Sequence, residues 1–462
     1  MAMKNAIDLQ MVAEFSLNQP IGQCRAVPVR QATGAPEAVL LVYSADFDID
    51  PSHEMFFFPM DTLKLALVTH EGKVLWRRDL DRGVVPGVWF CPVFAFDLNG
   101  DGADEIFYVG NGEPRHPLSK MHRRLVCLDP RTGETIGQWP WPSLMQRQQE
   151  LSFMYRDFIF GGYAKGQPVL VTAQGTYMDM FLQGWRADMT QRWQRDIIRV
   201  GEQRSAAGSH QCAIVDINHD GIDEVMWGER CIELSGGQQI FCADDVVYRG
   251  HSDLVQPMLG ADGRWRIFTI RESHPEASPR VVMFDDQGRR VWGHVDAGHI
   301  DMGWVARLGP RGEHVASAIR IGAKSCGPDG RFHQQMDEFA FDGQSGEPLT
   351  PGFSHYRTLP VDLNGDGRHE LVRGLPSGNG EVLMPDGRVV GTVGGATAMA
   401  CKFLNRPGEQ LLSYHADGAV RIWADANAQD TPAALQRYAH PFYARNRALT
   451  ACGYNWVNLG GV

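Results

Sequence analysis

One acidic motif occurs three times in the chain, each time between two short apolar runs. The copies have the form D-x-N-x-D-G-x-x-E and occupy residues 97–105, 216–224 and 362–370. Weaker copies, which keep the apolar runs but lose the acids, begin near residues 27, 158, 254, 305 and 401. Self-similarity of this kind indicates a repeat architecture, here with eight modules in all.

Most modules continue with a second pair of apolar runs around a glycine turn, often ending in Trp, as in LALVTHEGKVLW and VVMFDDQGRRVW. Two strands and such a hairpin make a four-stranded sheet of about 40–50 residues, the size of a propeller blade. The sequence therefore predicts an all-β fold: a single β-propeller with eight four-stranded blades, or seven as the alternative. Short helices are expected only near Pro142–Gln149 and Thr431–Ala439.

The same reading predicts the boundaries of the propeller. Residues 1–22 are expected to form an N-terminal segment and residues 23–440 the propeller itself. Residues 441–462, which include ALTACGYNWVNLG, are expected to supply a C-terminal strand that closes the ring. Closure would leave few unpaired strand edges.

Charge and cysteine content bound the partners and the compartment. The net charge of −11 gives no reason to expect nucleic acid or an acidic membrane as partner. The nine cysteines are odd in number and form no C-x-x-C pair, which favours free thiols in a reducing compartment. The sequence as written lacks a secretory signal and a membrane-spanning run, so we expect a cytoplasmic protein, or a secreted or periplasmic one if a signal was removed.

The acidic motif has the residue types of a calcium loop. Oxygen ligands at positions 1, 3, 5 and 9 can converge on one hard cation, and glycine at position 6 permits the sharp turn. We therefore predict structural Ca²⁺ in the three full copies, with an Asx-type turn without metal as the alternative. The predicted ligands are Asp97, Asn99, Asp101, Glu105, Asp216, Asn218, Asp220, Glu224, Asp362, Asn364, Asp366 and Glu370.

A propeller places the residues before each first strand and after each second strand at one mouth of its channel. Histidine, arginine and tyrosine are concentrated at these positions, although the protein is acidic overall. Such a mouth would attract a carboxylated or sulfated ligand. The candidates for catalysis are His210, His251, His299 and Tyr177. The candidates for substrate binding are Arg230, Arg271, Arg320, Arg156, His355, Trp89 and His274.

Each of these residues also has a structural alternative. A single histidine before a strand usually hydrogen-bonds a loop, a single arginine usually pairs with an acid of the next blade, and a tryptophan usually packs between blades. The pattern as a whole favours a site, because structural pairing would not require the same end of every blade.

The residue types at the mouth favour one kind of chemistry. No G-x-S-x-G, P-loop or dinucleotide motif is present, and acids at the mouth are expected to be few, which disfavours a two-carboxylate hydrolase. Histidine, tyrosine and arginine together suit β-elimination on a uronic acid. An arginine or a metal neutralises the carboxylate, one group removes the C5 proton, and another protonates the leaving O4.

Several stretches also resemble a known family. GSHQCAIVDINHDGIDEVMWGERCIEL, followed by GHSDLVQPM, is similar to the H-S-x-x-V-x-D-x-D-G-D-G-x-D-E-I…G-H-G-D stretch of the rhamnogalacturonan lyases, eight-bladed propellers with bound calcium. FAFDLNGDGADEI, GTYMDMFLQGWRADMTQRWQRD and ALTACGYNWVNLG match in order, so the resemblance covers roughly residues 90 to 460. The wider group includes ulvan lyases and related propeller rhamnosidases.

The resemblance implies calcium at the acidic loops and roles for His210 and for His251 with Asp253. The chain departs from the family pattern at the second acidic loop, with Asn218 and His219 in place of Asp, and at Ser252 in place of Gly. The family's later V-H-E reads Ile270, Arg271 and Glu272 here. Substrate identity is therefore not carried over.

The leading hypothesis is a polysaccharide or oligosaccharide lyase that cleaves at a uronic acid in a rhamnose- and uronate-containing glycan. An α-L-rhamnosidase-type glycoside hydrolase on the same fold and a non-catalytic glycan-binding propeller are the alternatives. All three imply an acidic oligo- or polysaccharide as partner.

Overall fold

The computed structural model describes residues 7–51, 59–113, 115, 122–141, 151–199, 206–272, 279–326, 332–376 and 378–462. Within these residues the strands form eight four-stranded antiparallel sheets, which confirms the prediction of an eight-bladed propeller. Blades 1 to 4 comprise β2 (Gln23–Val29), β3 (Ala38–Ser44), β4 (Lys64–Val68) and β5 (Val74–Asp79); β6 (Val93–Phe96), β7 (Glu105–Asn111), β8 (Arg123–Leu128) and β9 (Thr135–Pro140); β10 (Asp157–Ala164), β11 (Gln167–Gln174), β12 (Met180–Trp185) and β13 (Gln191–Ile197); and β14 (Ala213–Val215), β15 (Glu224–Trp227), β16 (Arg230–Glu233) and β17 (Gln239–Cys242).

Blades 5 to 8 continue the same order. They comprise β18 (Ser252–Leu259), β19 (Trp265–Arg271), β20 (Val281–Asp285) and β21 (Arg290–His294); β22 (His299–Arg307), β23 (His314–Cys326), β24 (Phe332–Asp342) and β25 (Pro348–Leu349); β26 (Leu359–Val361), β27 (Glu370–Val372), β28 (Glu381–Leu383) and β29 (Val389–Thr392); and β30 (Ala396–Cys401), β31 (Gln410–Tyr414) and β32 (Ala419–Asp425) together with β1 (Leu9–Ser16). Three short helices complete the described structure: α1 (Leu151–Met154), α2 (Pro432–Ala439) and α3 (Pro441–Arg447).

The strands differ in burial according to their place in the blade. The second strand of blade 1, β3, is AVLLVYS and is buried at every position, whereas the outermost strand β5 is VLWRRD and alternates between exposed and covered residues. A continuous apolar run is expected for a strand covered on both faces, and alternation for one with a solvated face. The hydrophobic core therefore lies between neighbouring blades.

The ring is closed by the N-terminal strand rather than the C-terminal one. Strand β1 pairs antiparallel with β32, from Leu9 opposite Asp425 to Ser16 opposite Ala419. The eighth module has three strands of its own because the chain passes from β32 into helices α2 and α3. This corrects the predicted boundaries, since residues 9–16 belong to the propeller and residues 441–462 contain no strand. The helix expected near Thr431–Ala439 is present as α2, and the one near Pro142–Gln149 falls outside the described residues.

The C-terminal segment instead contacts the first strands of several blades, which line the channel of a propeller. The Ala451 carbonyl accepts from the Val93 amide at 3.0 Å, and the Gly461 carbonyl accepts from the Leu259 amide at 2.8 Å. Between them, the Tyr454 amide donates to the His210 carbonyl at 2.7 Å. Gly453 has φ of +84°, and a Cβ there would lie 2.7 Å from the His210 oxygen, so this close approach requires glycine. The segment thereby brings Tyr454 to the mouth of the channel.

Neighbouring blades are joined by a recurrent aromatic–glycine contact. The aromatic ring lies on or just beyond the outermost strand of one blade and covers a glycine with positive φ in the hairpin of the next blade. A side chain on that glycine would clash with the ring, which explains why hairpin glycine and outer-strand aromatic recur together in the sequence. The pairs are Phe15–Gly72, Trp76–Gly133, Trp193–Gly237, Phe241–Gly288, Trp292–Gly346 and Phe353–Gly387.

Removing one of these aromatic side chains should destabilise the whole propeller. Trp76 is 9 % exposed and its Nε1 donates to the Pro130 carbonyl at 2.8 Å. We expect Trp76→Ala to lower the free energy of unfolding by about 3–5 kcal/mol, measured by denaturant unfolding. Leu75→Ala, at an exposed position of the same strand, serves as control and should change it by no more than about 0.5 kcal/mol. Equal stabilities of the two variants would contradict a role for the contact.

Candidate active site at the channel mouth

Six imidazole and carboxylate side chains from three consecutive blades meet at one end of the channel. They come from the residues before or at the start of the first strands β14, β18 and β22, and from the residue after β19. The prediction that first-strand starts and second-strand ends share one mouth therefore holds for these blades. The six side chains are His210, His251, Asp253, Glu272, His299 and Asp301.

Local backbone geometry explains why histidine and aspartate occur together. Both H-x-D stretches, His251 to Asp253 and His299 to Asp301, lie at the start of a strand, where alternate residues share a face. The ladder registers shift between Ser252 and Leu254, and between Ile300 and Met302, so each aspartate occupies a β-bulge. Bulges beside active sites re-aim a side chain. The repeated H-x-D bulge accordingly directs two imidazole–carboxylate pairs to one place.

The inner part of the cluster is compact. His210 Nδ1 lies 3.3 Å from Asp253 Oδ1, and His251 Nε2 lies 3.9 Å from the same oxygen. His251 Nε2 also contacts a carboxylate oxygen of Glu272. The ligand-type atoms of these four residues all lie within 4.8 Å of one another, which we call the inner set. Distances of this size suit one cation at their centre.

A second group adjoins the first and shares a residue with it. His299 Nε2 lies 3.3 Å from Glu272 Oε1 and 3.3 Å from Asp301 Oδ1. The ligand-type atoms of Asp253, His299 and Asp301, which we call the outer set, also lie within 4.8 Å of one another. The expectation of few acids at the mouth is thus wrong, because three carboxylates stand among the histidines.

Several polar atoms of the cluster are buried without a donor or acceptor partner. Asp253 is 0 % exposed, and neither of its oxygens accepts a well-aligned hydrogen bond from a nitrogen donor among the described residues, although His210 Nδ1 lies 3.3 Å from Oδ1. His210 Nδ1 makes no well-aligned hydrogen bond either, and His251 Nε2 and one oxygen of Glu272 have only each other as a close polar contact. A buried carboxylate without a partner is strongly unfavourable. The donor set of imidazole nitrogens and carboxylate oxygens fits a divalent cation, which would satisfy these atoms.

Burial sets the protonation states of the cluster. It lowers the pKa of His210 to about 3, and it holds the pKa of His251 well below its ordinary value. Burial and the neighbouring carboxylates of Asp301 and Glu272 hold the pKa of Asp253 well above its ordinary value. Both inner imidazoles are therefore neutral near pH 7, the form that coordinates metals. Asp253 would lose its proton when a cation binds.

Tyr177 completes the constellation on one side of the inner set. Its hydroxyl lies 2.6 Å from His210 Nε2, and its ring lies 4.1 Å from the His251 ring, centroid to centroid. The Arg156 guanidinium sits 4.5 Å from the Tyr177 ring centroid and pairs with Asp50 at 3.0 Å. Burial raises the pKa of Tyr177, and the Arg156 charge opposes this. The structure thus brings together all four residues predicted for catalysis.

A cavity of about 370 Å³ opens beside the outer set. Its wall combines aromatic surface with a few charged groups, the usual make-up of a ligand pocket. Arg357 has φ of +59° and no carboxylate partner within the described part of the chain. Arg25, by contrast, lies 3.8 Å from Asp48 and donates to the Tyr454 carbonyl. The residues that line this cavity include Asp301, Trp304, His355, Arg357, Trp456 and Arg25.

The arginines expected to hold a carboxylate lie elsewhere. Arg271 is 0 % exposed and pairs with Glu229 at 3.1 Å and Asp244 at 2.8 Å. Arg230 is buried, and its guanidinium donates to the carbonyls of Ala206 and Ala207. These two side chains belong to the interior of the blades, because each has its hydrogen-bond partners there. They are therefore left out of the site proposed below.

The remaining binding candidates divide between the site and its surroundings. Arg320 pairs with Asp337 at 2.7 Å on a partly exposed rim. Trp89 is buried, and its ring meets His210 edge-on at 5.5 Å. His355 lines the cavity, with Nδ1 3.1 Å from Ser317 Oγ. His274 lies outside the described residues.

At the ends of blades 2, 4 and 7 that lie away from the mouth, the three acidic loops share most of their backbone hydrogen bonds. In the first and third copies one oxygen of the glutamate also accepts from the asparagine at position 3, Asn99 or Asn364. In the second copy, Asp216 accepts from the amides of Asp220 and Gly221 at 3.0 Å, and Glu224 Oε2 accepts from the Ile217 amide at 2.8 Å. Glu224 Oε1 is buried without a partner. Burial and the charges of Asp216 and Asp220 raise the pKa of Glu224 to about 8. Crowded oxygen donors of this kind fit a hard cation.

A basic side chain already stands near each of these loops. Arg30 lies 3.9 Å from Asp97, and Arg437 lies 3.4 Å from Asp362. Lys165 donates to the Asp220 carbonyl. These contacts reduce the negative charge of the loops without reaching the unpartnered oxygen of Glu224.

Comparison with known proteins finds similarity to the family that the motifs resemble. The family model described as rhamnogalacturonan lyase family 11, C-terminal domain, matches residues 159–323, a segment that contains Tyr177 and the whole mouth cluster. The chain is 22 % identical over 366 residues to the rhamnogalacturonan endolyase YesW of Bacillus subtilis, covering 65 % of this chain and 58 % of that protein. It is 24 % identical over 194 residues to the rhamnogalacturonan exolyase YesX of the same organism, covering 36 % of this chain and 32 % of that one.

Solved structures show the same fold. The exotype rhamnogalacturonan lyase YesX superimposes with a TM-score of 0.76 at 17 % identity, over 97 % of this chain and 82 % of that one. A Bacillus licheniformis rhamnogalacturonan lyase superimposes with a TM-score of 0.77 at 16 % identity, over the same shares. The predicted resemblance to propeller rhamnogalacturonan lyases is therefore confirmed in sequence and fold. None of the helices in the described residues is long and apolar enough to span a membrane.

Proposed function

We propose that the protein is a polysaccharide lyase that cleaves a rhamnose- and uronate-containing glycan by β-elimination next to the uronic acid. The observation that carries this proposal is that a cluster suited to bind a cation and a tyrosine–histidine pair lie together at the mouth of the channel. All of these residues lie in the segment matched by the lyase family model. The matched relatives, which act on rhamnogalacturonan according to their names, support a pectic substrate.

The inner set supplies the electrostatic part of the chemistry. A divalent cation held by His210, His251, Asp253 and Glu272 would neutralise the uronate carboxylate and so lower the barrier to loss of the C5 proton. The chain's own residues orient this centre. Asn455 Nδ2 donates to the Asp253 carbonyl at 2.7 Å and fixes the bulge from the C-terminal segment. The Arg156 charge, which acts on both His210 and His251, adds positive potential beside it.

The Tyr177–His210 pair supplies the proton transfer. When Nδ1 of His210 faces a ligand, the ring holds its proton on Nε2, which donates to the Tyr177 oxygen 2.6 Å away. This hydrogen bond and the Arg156 guanidinium both favour the deprotonated oxygen. Tyr177 is then the group that removes the C5 proton, its hydroxyl gives a proton back to the leaving O4, and His210 positions it.

The cavity next to Asp301 takes the sugars that flank the reacting uronate. Its aromatic wall, which includes Trp304 and Trp456, offers flat apolar faces against which sugar rings pack. Arg357 offers a guanidinium to a second carboxylate of the glycan. This assignment replaces Arg230 and Arg271 with a residue at the surface of the pocket.

We further propose that the three acidic loops hold structural Ca²⁺. The all-oxygen donor sets and the unpartnered oxygen of Glu224 support this assignment. These ions would stiffen the blade ends away from the mouth and take no part in the reaction.

The function is tested with purified backbone polymers in the presence of Ca²⁺ and Mn²⁺. We expect ultraviolet absorbance from a new C4–C5 double bond with rhamnogalacturonan, and none with unsubstituted polygalacturonan. An ulvan-type polysaccharide, whose uronate also neighbours rhamnose, is the second substrate of the panel. New reducing ends without the absorbance would instead indicate a hydrolase, and glycan binding without product would indicate a non-catalytic propeller. Either result overturns the proposal.

A further inference from the structure

We propose that the mouth cluster holds two divalent cations rather than one, with the carboxylate of Asp253 bridging them. This inference deepens the proposed function and rests on it for the role of the second ion. It concerns how many cations the site takes, which is measurable without any substrate.

The two sets of ligand-type atoms are geometrically distinct. The inner set gathers His210, His251 and Glu272 around Asp253, and the outer set gathers His299 and Asp301 around the same residue. Each set is internally within 4.8 Å, whereas the six residues do not form one group at that distance. Ligands that share one cation at bond lengths of roughly 2.0–2.4 Å lie no more than about 4.8 Å apart, so a single cation cannot bind all six residues.

Asp253 has the properties of a bridge. It stands at a β-bulge between the two sets, and its side chain is 1 % exposed. Oδ1 lies 3.3 Å from His210 Nδ1 of the inner set, and the carboxyl group of Asp301 in the outer set is within hydrogen-bonding reach. A carboxylate that faces both ligand sets can give one oxygen to each cation, as in two-metal sites with ions roughly 3.5–4 Å apart.

Charge balance favours two ions in a site that must accept an anion. The cluster contains three carboxylates and three imidazoles, and an imidazole that binds a metal is neutral. With one divalent cation and neutral imidazoles, the centre keeps one excess negative charge and repels a uronate. With two cations it has one excess positive charge and attracts it.

The two positions differ in access. In the inner set the side chains of His210 and His251 are each 10 % exposed and that of Glu272 is 19 % exposed. In the outer set His299 and Asp301 are 39 % and 36 % exposed, and Asp301 also lines the cavity. A closed site with its ligands complete suits a cation that organises the centre, and an open one suits a cation that meets the substrate. The outer ion would therefore add a second contact to the uronate carboxylate that the inner ion neutralises.

The test is Mn²⁺ binding to the full chain, followed by electron paramagnetic resonance. Mn²⁺ accepts mixed imidazole and carboxylate ligands, and two Mn²⁺ ions sharing a carboxylate give an exchange-coupled spectrum that isolated ions do not. We expect this coupled spectrum in the wild type. Asp301→Asn and His299→Gln, each checked for an unchanged fold by circular dichroism, should lose it and bind one Mn²⁺ fewer per chain.

The control is Asp366→Asn in the acidic loop of blade 7, which should lose loop binding but keep the coupled spectrum. Only isolated-ion spectra from the wild type at saturating Mn²⁺, or a coupled spectrum that survives in both outer-set variants, would overturn the proposal. A coupled pair in a protein without lyase activity would leave the pair standing and remove the proposed function. Lyase activity with a single uncoupled ion would do the reverse.

Discussion

Replacing Tyr177 with phenylalanine should lower kcat on rhamnogalacturonan by about 10²–10⁴-fold, the usual contribution of a positioned proton-transfer group. Phenylalanine keeps the ring against His251 and under Arg156 but removes the hydroxyl that lies 2.6 Å from His210. Because the lost interaction acts on the transferring proton, KM should change little. Steady-state kinetics, followed by the absorbance of the unsaturated product, measure both quantities.

A neighbouring aromatic residue provides the control for this variant. Phe153 lies 5.3 Å from the Tyr177 ring, centroid to centroid, and carries no proton-transfer group. Phe153→Leu should therefore lower kcat by less than about tenfold, since only packing is altered. If Tyr177→Phe retained activity comparable to that of Phe153→Leu, Tyr177 would be a packing residue and the base would have to be sought among the imidazoles.

Removing Ca²⁺ from the acidic loops should lower the free energy of unfolding by several kcal/mol. Each site contributes about 2.7 kcal/mol when free Ca²⁺ is one hundred times its dissociation constant. We expect this from denaturant unfolding in Ca²⁺ compared with chelator. Glu224→Gln, which removes the carboxylate ligand at position 9 of one loop, should bind one Ca²⁺ fewer and lose roughly one site's share of the stabilisation.

The exposed residue Glu134 offers a matched change outside the loops. Glu134→Gln should leave both the Ca²⁺ count and the stability as in the wild type. Because the mouth cluster also responds to chelator, the loop variant is the decisive comparison. A Glu224→Gln protein with unchanged Ca²⁺ binding would show that this loop is an Asx-type turn without metal.

The degenerate loop of blade 8 shows how a blade end forms without the acids. Gln410 takes the place of the position 9 glutamate and accepts from the amides of Phe403 and Leu404 at 3.1 and 2.9 Å. Lys402 stands where the full copies have their first aspartate, and its ammonium pairs with Asp430 at 2.9 Å. A protein cation here occupies the region that the acids surround in the full copies. The eighth module could therefore be recognised from its apolar runs although it lacks the acidic residues.

The fold was predictable because each blade repeats the same local pattern of strand lengths, turns and aromatic–glycine contacts. The closing strand could not be predicted. The alternating sequence LQMVAEFS of β1 carries no signal that specifies pairing with β32, which lies more than 400 residues away. Ring closure depends on which end of the chain reaches the open edge. That is a property of the assembled propeller.

Site residues were predictable where their position relative to a strand decides which end of the blade they occupy. They were not predictable where availability depends on a partner distant in sequence. His251 and His299 were predicted to lie at the mouth because each stands just before or at the start of the first strand of its blade. Arg271 was assigned to the substrate because its position is at a strand end, but Glu229, 42 residues earlier, pairs with it in the interior. Pairing across blades decides whether a mouth arginine is available, and a single sequence does not contain that information.

In the proposed function, bond cleavage at this mouth is an elimination. It is tested most directly by mass spectrometry of the two fragments released from a rhamnogalacturonan oligosaccharide of known length. Elimination adds no water, so the fragment masses should sum to the mass of the substrate, with the double bond on the uronate fragment. A sum larger by one water molecule would show hydrolysis and contradict the account.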